Sequence, residues 1–329
     1  MKKKGDFSKR YPVLPGPLEG LSSGAFCRAA NDLDLVPAWI TPFWRVTNEV
    51  GGRKALNEFV APFISGNREI IVQLIGVDGR IMGRTAGAFS DMEHVSGINL
   101  NFACPSRQVI ENQGGGGALK CIPLMRELIE RIQQANPDLP LSLKVRSGFF
   151  DWHEIENFLP KISVNAKIDF VAVHHRSVKE QYTPVYDRHE RLDFIAAVAE
   201  GAKIPLVFNG DINTLDDVKG IWHEYPEIGI MSARGFLADP YFLRRVEFMI
   251  LNSYDGKNIP SVKQGKNIFY RKFVECARQD RQTRWHNGRF IEMSNFIWGK
   301  EQNPVFGILT ERSDSWEESI YELDDAEEE

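Results

Sequence analysis

Short apolar runs rich in β-formers recur along the first 235 residues, separated by stretches in which apolar positions return every three or four residues. Eight such runs can be read. One lies near Val13–Glu19, followed by Trp39–Phe43, Ile70–Ile75, Ile98–Ala103, Leu141–Val145, Phe170–His174, Pro205–Asn209 and Gly229–Ser232. Helical patterns lie between several of them, as in Leu124 to Ile132, where Leu124, Met125, Leu128, Ile129 and Ile132 share one face. Eight strand-helix units in about 240 residues predict an α/β fold of the (β/α)8 barrel type, rather than an open doubly wound sheet of five or six strands.

After Tyr241 the strand pattern stops. Tyr254-Asp255-Gly256-Lys257-Asn258-Ile259-Pro260 reads as a linker, and the chain beyond it, to about Leu309, has a helical pattern. The expected organisation is a barrel over residues 1–248, a small all-helical domain over 261–310 and an acidic tail over 311–329.

Composition narrows the function classes. With 329 residues, 43% hydrophobic and 26% charged, the chain can bury one large core with a small appendage, and fibrous or wholly disordered readings fall away. No apolar run reaches the roughly 18 residues that span a bilayer. Met1-Lys2-Lys3-Lys4-Gly5-Asp6 leads into a polar stretch without a signal-peptide core, so a cytoplasmic protein without a membrane partner is expected. Cys27, Cys104, Cys121 and Cys276 lie far apart without a C-x-x-C pair, which predicts reduced thiols and no metal site.

The net charge of −5 is unevenly spread. Glu311 to Glu329 carries ten acids and one base, a composition expected to form a solvated extension. From Lys263 to Arg289 the balance inverts, with Lys263, Lys266, Arg271, Lys272, Arg278, Arg281, Arg284 and Arg289 against Glu275 and Asp280. Phe269, Tyr270, Phe273 and Trp285 are interleaved. This suits a surface that tracks phosphates and stacks on bases. It equally suits an amphipathic helical pair whose aromatics form its core.

In a (β/α)8 barrel chemistry gathers where the strands end. Period-two alternation in Leu141 to Arg146 puts Leu141, Leu143 and Val145 on one face and Ser142, Lys144 and Arg146 on the other, which aims Lys144 into the barrel mouth if the apolar set meets the surrounding helices, the alternative being a rim lysine in water. A desolvated lysine there calls for an anion or loses its proton. Asn209-Gly210-Asp211 ends the seventh strand and Ala233-Arg234-Gly235 the eighth, where barrels commonly hold a phosphate. The fourth strand runs into Ala103-Cys104-Pro105-Ser106 and a loop ending in Gly114 to Gly117, read as mobile, beside a thiol placed for proton transfer or covalent chemistry, although a lone cysteine is more often a buried small hydrophobe. The sixth strand ends in Val173-His174-His175-Arg176-Ser177, of whose histidines at most one faces the centre.

Taken in order, these motifs resemble those of the tRNA-dihydrouridine synthase family, over about residues 12 to 310. Pro17-Leu18-Glu19-Gly20 is similar to its Pro-Met-Glu-Gly flavin motif and Val72-Gln73-Leu74 to its Val-Gln-Leu strand. Asn101-x-x-Cys104-Pro105-Ser106 resembles the Asn-x-x-Cys-Pro signature, the most specific match. Lys144-Val145-Arg146, Val173 to Ser177, Asn209-Gly210-Asp211-Ile212 and Ala233-Arg234-Gly235 resemble Lys-Val-Arg, Val-His-Gly-Arg-Thr, Asn-Gly-Asp/Glu-Ile and Gly-Arg-Gly.

The resemblance implies an oxidoreductase that uses FMN, reduced by NADPH, to convert a tRNA D-loop uridine to 5,6-dihydrouridine. FMN would lie across the mouth, with the isoalloxazine on Pro17, Leu18, Glu19 and Gln73. The phosphate would sit on Asn209, Gly210, Asp211, Ala233 and Arg234. Lys144 would face the flavin N1/O2 edge, and His174 would lie near the ring and phosphate. Cys104 would protonate uracil C5 while hydride reaches C6. Asn101 and Arg176 would contact the substrate base, and Arg271, Lys272, Arg278 and Arg289 the tRNA. No protein partner is implied, and a monomer is expected.

Ile40 to Val46, the glycine run and the length look most like the C-type bacterial subfamily, which modifies tRNA position 16, although Pro42 stands where that subfamily has Glu. His175 and Ala233 replace family glycines, which is expected to add bulk near the flavin and weaken or shift its binding. Two alternatives remain at this point. One is a free-pyrimidine enzyme resembling dihydroorotate dehydrogenase, against which the basic segment argues. The other is a tRNA-binding paralogue without turnover, against which Cys104, Lys144 and Asn101 argue.

Overall fold

The structure is a computed structural model that describes residues 10–251, 259–280, 283–311 and 315–325. The lysine-rich start, most of the expected linker, Arg281 and the last four residues, Ala326 to Glu329, lie outside the described residues. Eight parallel strands form the centre: β1 (Val13–Pro15), β2 (Ala38–Ile40), β3 (Glu69–Ile75), β4 (Val95–Phe102), β5 (Leu141–Arg146), β6 (Val171–His174), β7 (Leu206–Asn209) and β8 (Gly229–Ser232). Their order is β1-β8-β7-β6-β5-β4-β3-β2, with β1 and β2 facing each other to close the ring. Trp44–Arg45 adds a two-residue extension beside β3. The (β/α)8 expectation is met, with every predicted strand present at its predicted place.

Period-two alternation explains the two sides of the wall. Ile70, Val72, Leu74, Leu141, Leu143 and Val145 turn outward into the main core, against helices such as Ile122–Ala135. That helix buries Met125, Leu128, Ile129 and Ile132, the face its sequence marks out. Inside the ring, Leu14, Ala38, Ile40, Ile71, Phe170, Ala172, Val207 and Met231 pack into a separate apolar plug. Below the plug Tyr11 donates to Glu69 at 2.7 Å, and Arg10 pairs with Glu69 and Asp169. The interior thus has an apolar middle layer, with the Arg10–Glu69–Asp169 group below it and polar side chains toward the C-terminal ends of the strands.

Helix Val262–Gln279 starts at a capping box in which the Ser261 hydroxyl accepts the Gln264 N–H while the Gln264 side chain accepts the Ser261 N–H. Its buried face, including Phe269, Tyr270 and Phe273, packs on the helix that follows β1, Gly24–Asp32, with Phe26 and Phe269 edge to face at 5.4 Å. Helix Asn287–Trp298 completes the group through Phe290, whose ring lies 5.2 Å from Phe273. No helix among the described residues is long and apolar enough to cross a membrane.

The expectation of a solvated tail from Glu311 is corrected for residues 315–323. Trp316 stacks on Phe290 at 4.6 Å and Leu323 is fully buried. Ser319 shares a 2.9 Å hydrogen bond with the Tyr270 hydroxyl. Burying Trp316 and Leu323 offsets the repulsion among the acids, which remain on the solvent side.

Candidate active site

The strands bring their C-terminal ends to one rim, and a cleft of about 530 Å³ opens there. Pro17, Leu18 and Glu19 line it after β1, Gln73 from β3, Asn101 and Cys104 from β4 and beyond, Lys144 from β5 and His174 from β6. Asn209, Gly210 and Asp211 close it at the end of β7, and Ala233 and Arg234 after β8. Every residue expected at the cofactor, with Cys104 and Asn101, therefore meets at a single cavity.

A directed row of hydrogen bonds supports the Cys104 loop. The N–H groups of Cys104 and Ala103 both donate to Asn101 Oδ1 at 2.9 Å. Asn101 Nδ2 donates to Gln73 Oε1 at 2.8 Å, and Gln73 Nε2 to Asn99 Oδ1 at 2.8 Å. Asn99 Nδ2 then donates to Ser142 Oγ at 2.9 Å, and Ser142 Oγ to the Ile98 carbonyl. The register allows this, since Gln73 lies beside Asn99 and Asn99 beside Ser142 on neighbouring strands. All four side chains are buried, where an unpaired amide would cost about 1–3 kcal/mol. Asn101, expected to hold the target base, thus spends its oxygen on the loop.

The glycine run is not an open, mobile lid, and the expectation is corrected. Gly115–Lys120 is a short 3-10 helix whose residues from Gly115 to Leu119 are buried. The Gly116 N–H donates to the Cys104 carbonyl at 3.0 Å. A Cβ on Gly115 would meet Cys104 Cβ at 2.9 Å, and one on Gly116 would meet Val178 at 2.6 Å. These glycines let the backbone pack directly behind the cysteine.

Electrostatically Lys144 and Arg146 at the mouth have no carboxylate partner among the described residues, although Glu19 also lines the cleft. The Lys144 ammonium has no hydrogen-bond or ion-pair partner among the described residues, and burial, then the nearby Arg146, pushes its pKa down to about 8. His174 is held well below its usual value by burial and by Arg146 and Lys144, so its ring is neutral, and its Nδ1 accepts the Arg176 N–H. Asp211, by contrast, is paired. The His175 ring 3.7 Å away, then Arg176 at 2.5 Å and Arg234, hold its carboxyl far below the ordinary carboxylate range.

Several expected residues sit elsewhere. Arg176 is buried beneath the cleft wall, donating to Asp211 and the Thr183 carbonyl, so it does not reach a substrate. His175 adds no bulk to the cleft: its fully buried ring stacks on Phe208 under Gly210, where a Cβ would strike it at 2.4 Å. Ala233 does line the cleft, its methyl in the space a Cβ on Gly16 would need. Arg271, Lys272, Arg278 and Arg289 lie on the helical region away from the lining. Lys272 pairs with Asp32 and Glu275, both at 3.1 Å, and Arg278 with Glu317. Phe269, Tyr270 and Phe273 are core and unavailable for stacking on bases.

Sequence reasoning assigned no role to Arg146, Tyr182 or Phe296. Arg146 donates to the carbonyls of Ala103, Ser177 and Gln181, tying the cysteine loop to the loop after β6. Its place on the inward face with Lys144 was the available signal. Tyr182 lines the cleft over the Arg146 guanidinium at 5.3 Å, and Phe296 reaches the lining from the helical region. Neither carries a local pattern.

A family model described as dihydrouridine synthase matches residues 27–312. The chain is 28% identical over 202 residues to a probable tRNA-dihydrouridine synthase of Rickettsia prowazekii, covering 61% of this chain and 60% of that protein. It is 26% identical over 244 residues to a tRNA-dihydrouridine(16) synthase of Pseudomonas syringae, covering 71% and 74%. The chain thus spans about 60% of the length of the first relative. Among solved structures it is similar to histamine dehydrogenase from Rhizobium, with a TM-score of 0.55 and 15% identity over 81% of this chain and 49% of that one, a likeness of fold.

Proposed function

Because the chain belongs to the dihydrouridine synthase family, we propose that it is an FMN-dependent enzyme that uses NADPH to reduce a D-loop uridine of tRNA to 5,6-dihydrouridine. One observation carries this reading: an unpaired lysine at the mouth faces the same cleft as a thiol held on a fixed loop.

The residues present fit a flavin mononucleotide. A cleft of about 530 Å³ lies within the ordinary range of ligand sites. Lys144 supplies the positive charge that an electron-rich ring edge attracts. Gly210, with φ +112°, and Asp211, with φ +52°, turn the backbone sharply where Arg234 stands, a cradle for the phosphate. Pro17, Leu18, Glu19 and Gln73 would hold the ring system, with the neutral His174 beside it. Bound there, the reduced flavin supplies the hydride for uracil C6.

The chain's own residues do the rest. Cys104 Sγ–H protonates C5 as general acid. Asn101 and Gly116 fix that thiol by holding the peptide groups on either side of it, so its position costs little reorganisation when the base arrives. Arg146 prevents the loop after β6 from separating from the cysteine loop. The base must leave its stack to enter the cleft.

The test is an absorbance spectrum of the purified protein, before and after NADPH, with unmodified tRNA then added without air. Flavin bands that bleach with NADPH and return with tRNA are expected. Return only with a free pyrimidine would transfer the reading to a small-substrate enzyme, and absence of bands would favour a protein that binds without turnover.

A further inference from the structure

Two lysines converge on one aromatic ring at the barrel rim. Lys120 Nζ lies 4.6 Å from the Phe149 ring centre and Lys179 Nζ 5.8 Å from it. Both lysines are exposed, and neither has a carboxylate within ion-pair distance among the described residues. The nearby acids are engaged elsewhere. Glu154 accepts the N–H groups of Phe149, Phe150 and Asp151, Glu180 pairs with Arg191, and Asp151 with His153. Beside the lysines the Phe150 ring is 64% exposed, edge to face with Phe149 at 4.7 Å.

The patch is built rather than incidental. Lys120 ends the glycine-rich 3-10 helix behind Cys104, Phe149 and Phe150 follow β5, and Lys179 belongs to the loop after β6. Backbone bonds from Val178 to the Gly148 carbonyl and from Lys179 to the Phe149 carbonyl lock the last two together. A Cβ on Gly148 would meet the Asp151 carbonyl, so the chain turns there without slack. The ring order places β5 across the mouth from β1, and the helical region packs behind β1.

We propose that Lys120, Lys179 and Phe150 form a second RNA contact, which grips the phosphates and one base of the strand on the side of the mouth opposite the helical region. This rests on the tRNA reading above and deepens it. Two like charges held over one ring without an acid are stabilised when phosphates approach, and an exposed ring beside them is what an unpaired base stacks on. The patch is an open surface rather than a pocket, which suits a polymer strand crossing the rim over a small nucleotide. The strand that delivers a uridine to the cleft is then anchored at the rim beside it.

The experiment compares the wild-type protein with Lys120→Gln/Lys179→Gln and with Phe150→Ala, measuring affinity for unmodified tRNA across salt concentrations and the rate of flavin reduction by NADPH alone. The lysine variant is expected to flatten the slope of log affinity against log salt by about 1.5. The phenylalanine variant is expected to lose affinity about tenfold. Flavin reduction by NADPH should be unchanged in both. Wild-type affinity and slope in the variants would overturn the proposal, as would slowed reduction by NADPH with tRNA binding intact, which would give the patch to the nicotinamide nucleotide. Because binding is read separately from turnover, tRNA that binds but never reoxidises the flavin would defeat the uridine reading, while the affinities and salt slopes of the variants would still uphold or overturn the rim contact.

Discussion

The barrel mouth and the helical region both carry many cations, yet they differ in what those cations face. In the helical region Lys272 lies between Asp32 and Glu275, and Arg278 meets Glu317 from the acidic segment. At the mouth Lys144 meets no anion, and Lys120 and Lys179 at the rim are likewise unpaired. Charge density alone therefore does not rank the two surfaces: Lys272 and Arg278 of the densest basic stretch are paired, its Arg284 and Arg289 are exposed without an ion pair among the described residues, and three lysines scattered along the chain likewise remain open to a ligand. What marks a binding surface is charge whose partner is missing, since a paired surface cation gains little by exchanging one anion for another.

The largest test of this contrast is at the thiol. Cys104→Ala should lower turnover about 100-fold or more, as loss of a general acid does, while the flavin spectrum is retained. Normal dihydrouridine formation by that variant, measured on tRNA digests, would remove the cysteine from the mechanism. Next in size, Gly116→Val forces a side chain into Val178 and the Cys104 carbonyl, and should cost about 1–3 kcal/mol of stability with a lower kcat. A wild-type melting temperature and kcat would show that the loop yields, restoring the mobile lid.

Lys144 sharpens the contrast through pH. With its pKa near 8 it is charged below that value and loses its proton above it, so FMN affinity should fall as pH rises through about 8. Binding titrations of Lys144→Met should be flat over the same range, and a parallel fall in both proteins would assign the effect to another group. The smallest effect is expected where charge is densest. Lys272→Gln and Arg278→Gln should each change tRNA affinity less than about threefold, in keeping with exposed ion pairs worth about 0–1 kcal/mol. A tenfold loss at either would break the contrast and return the helical region to the role its composition suggests.

The fold was legible because barrel strands must alternate and must end in a loop. Leu141 to Arg146 declares its inward face, and Asn209-Gly210 and Ala233-Arg234 declare their strand ends. Much of the cleft was legible for the same reason. What escaped depends on partners distant in sequence. Nothing local distinguishes Gly115 and Gly116 packed against Cys104 from glycines in a flexible loop. Trp316 and Leu323 stand among acids, and only Phe290 and the rest of the helical core explain their burial. Arg176 reads as a rim cation until Asp211, on another strand end, is brought to it.

The buried amide row has a polarity set at both of its ends. The Cys104 N–H can only donate and the Ile98 carbonyl can only accept, so no single amide between them can turn over unless it breaks with both neighbours. The row therefore transmits an orientation, as a sequence of interlocked switches would: what Ser142 does on β5 decides which atom Gln73 shows to the cleft and how firmly the peptide of Cys104 is held.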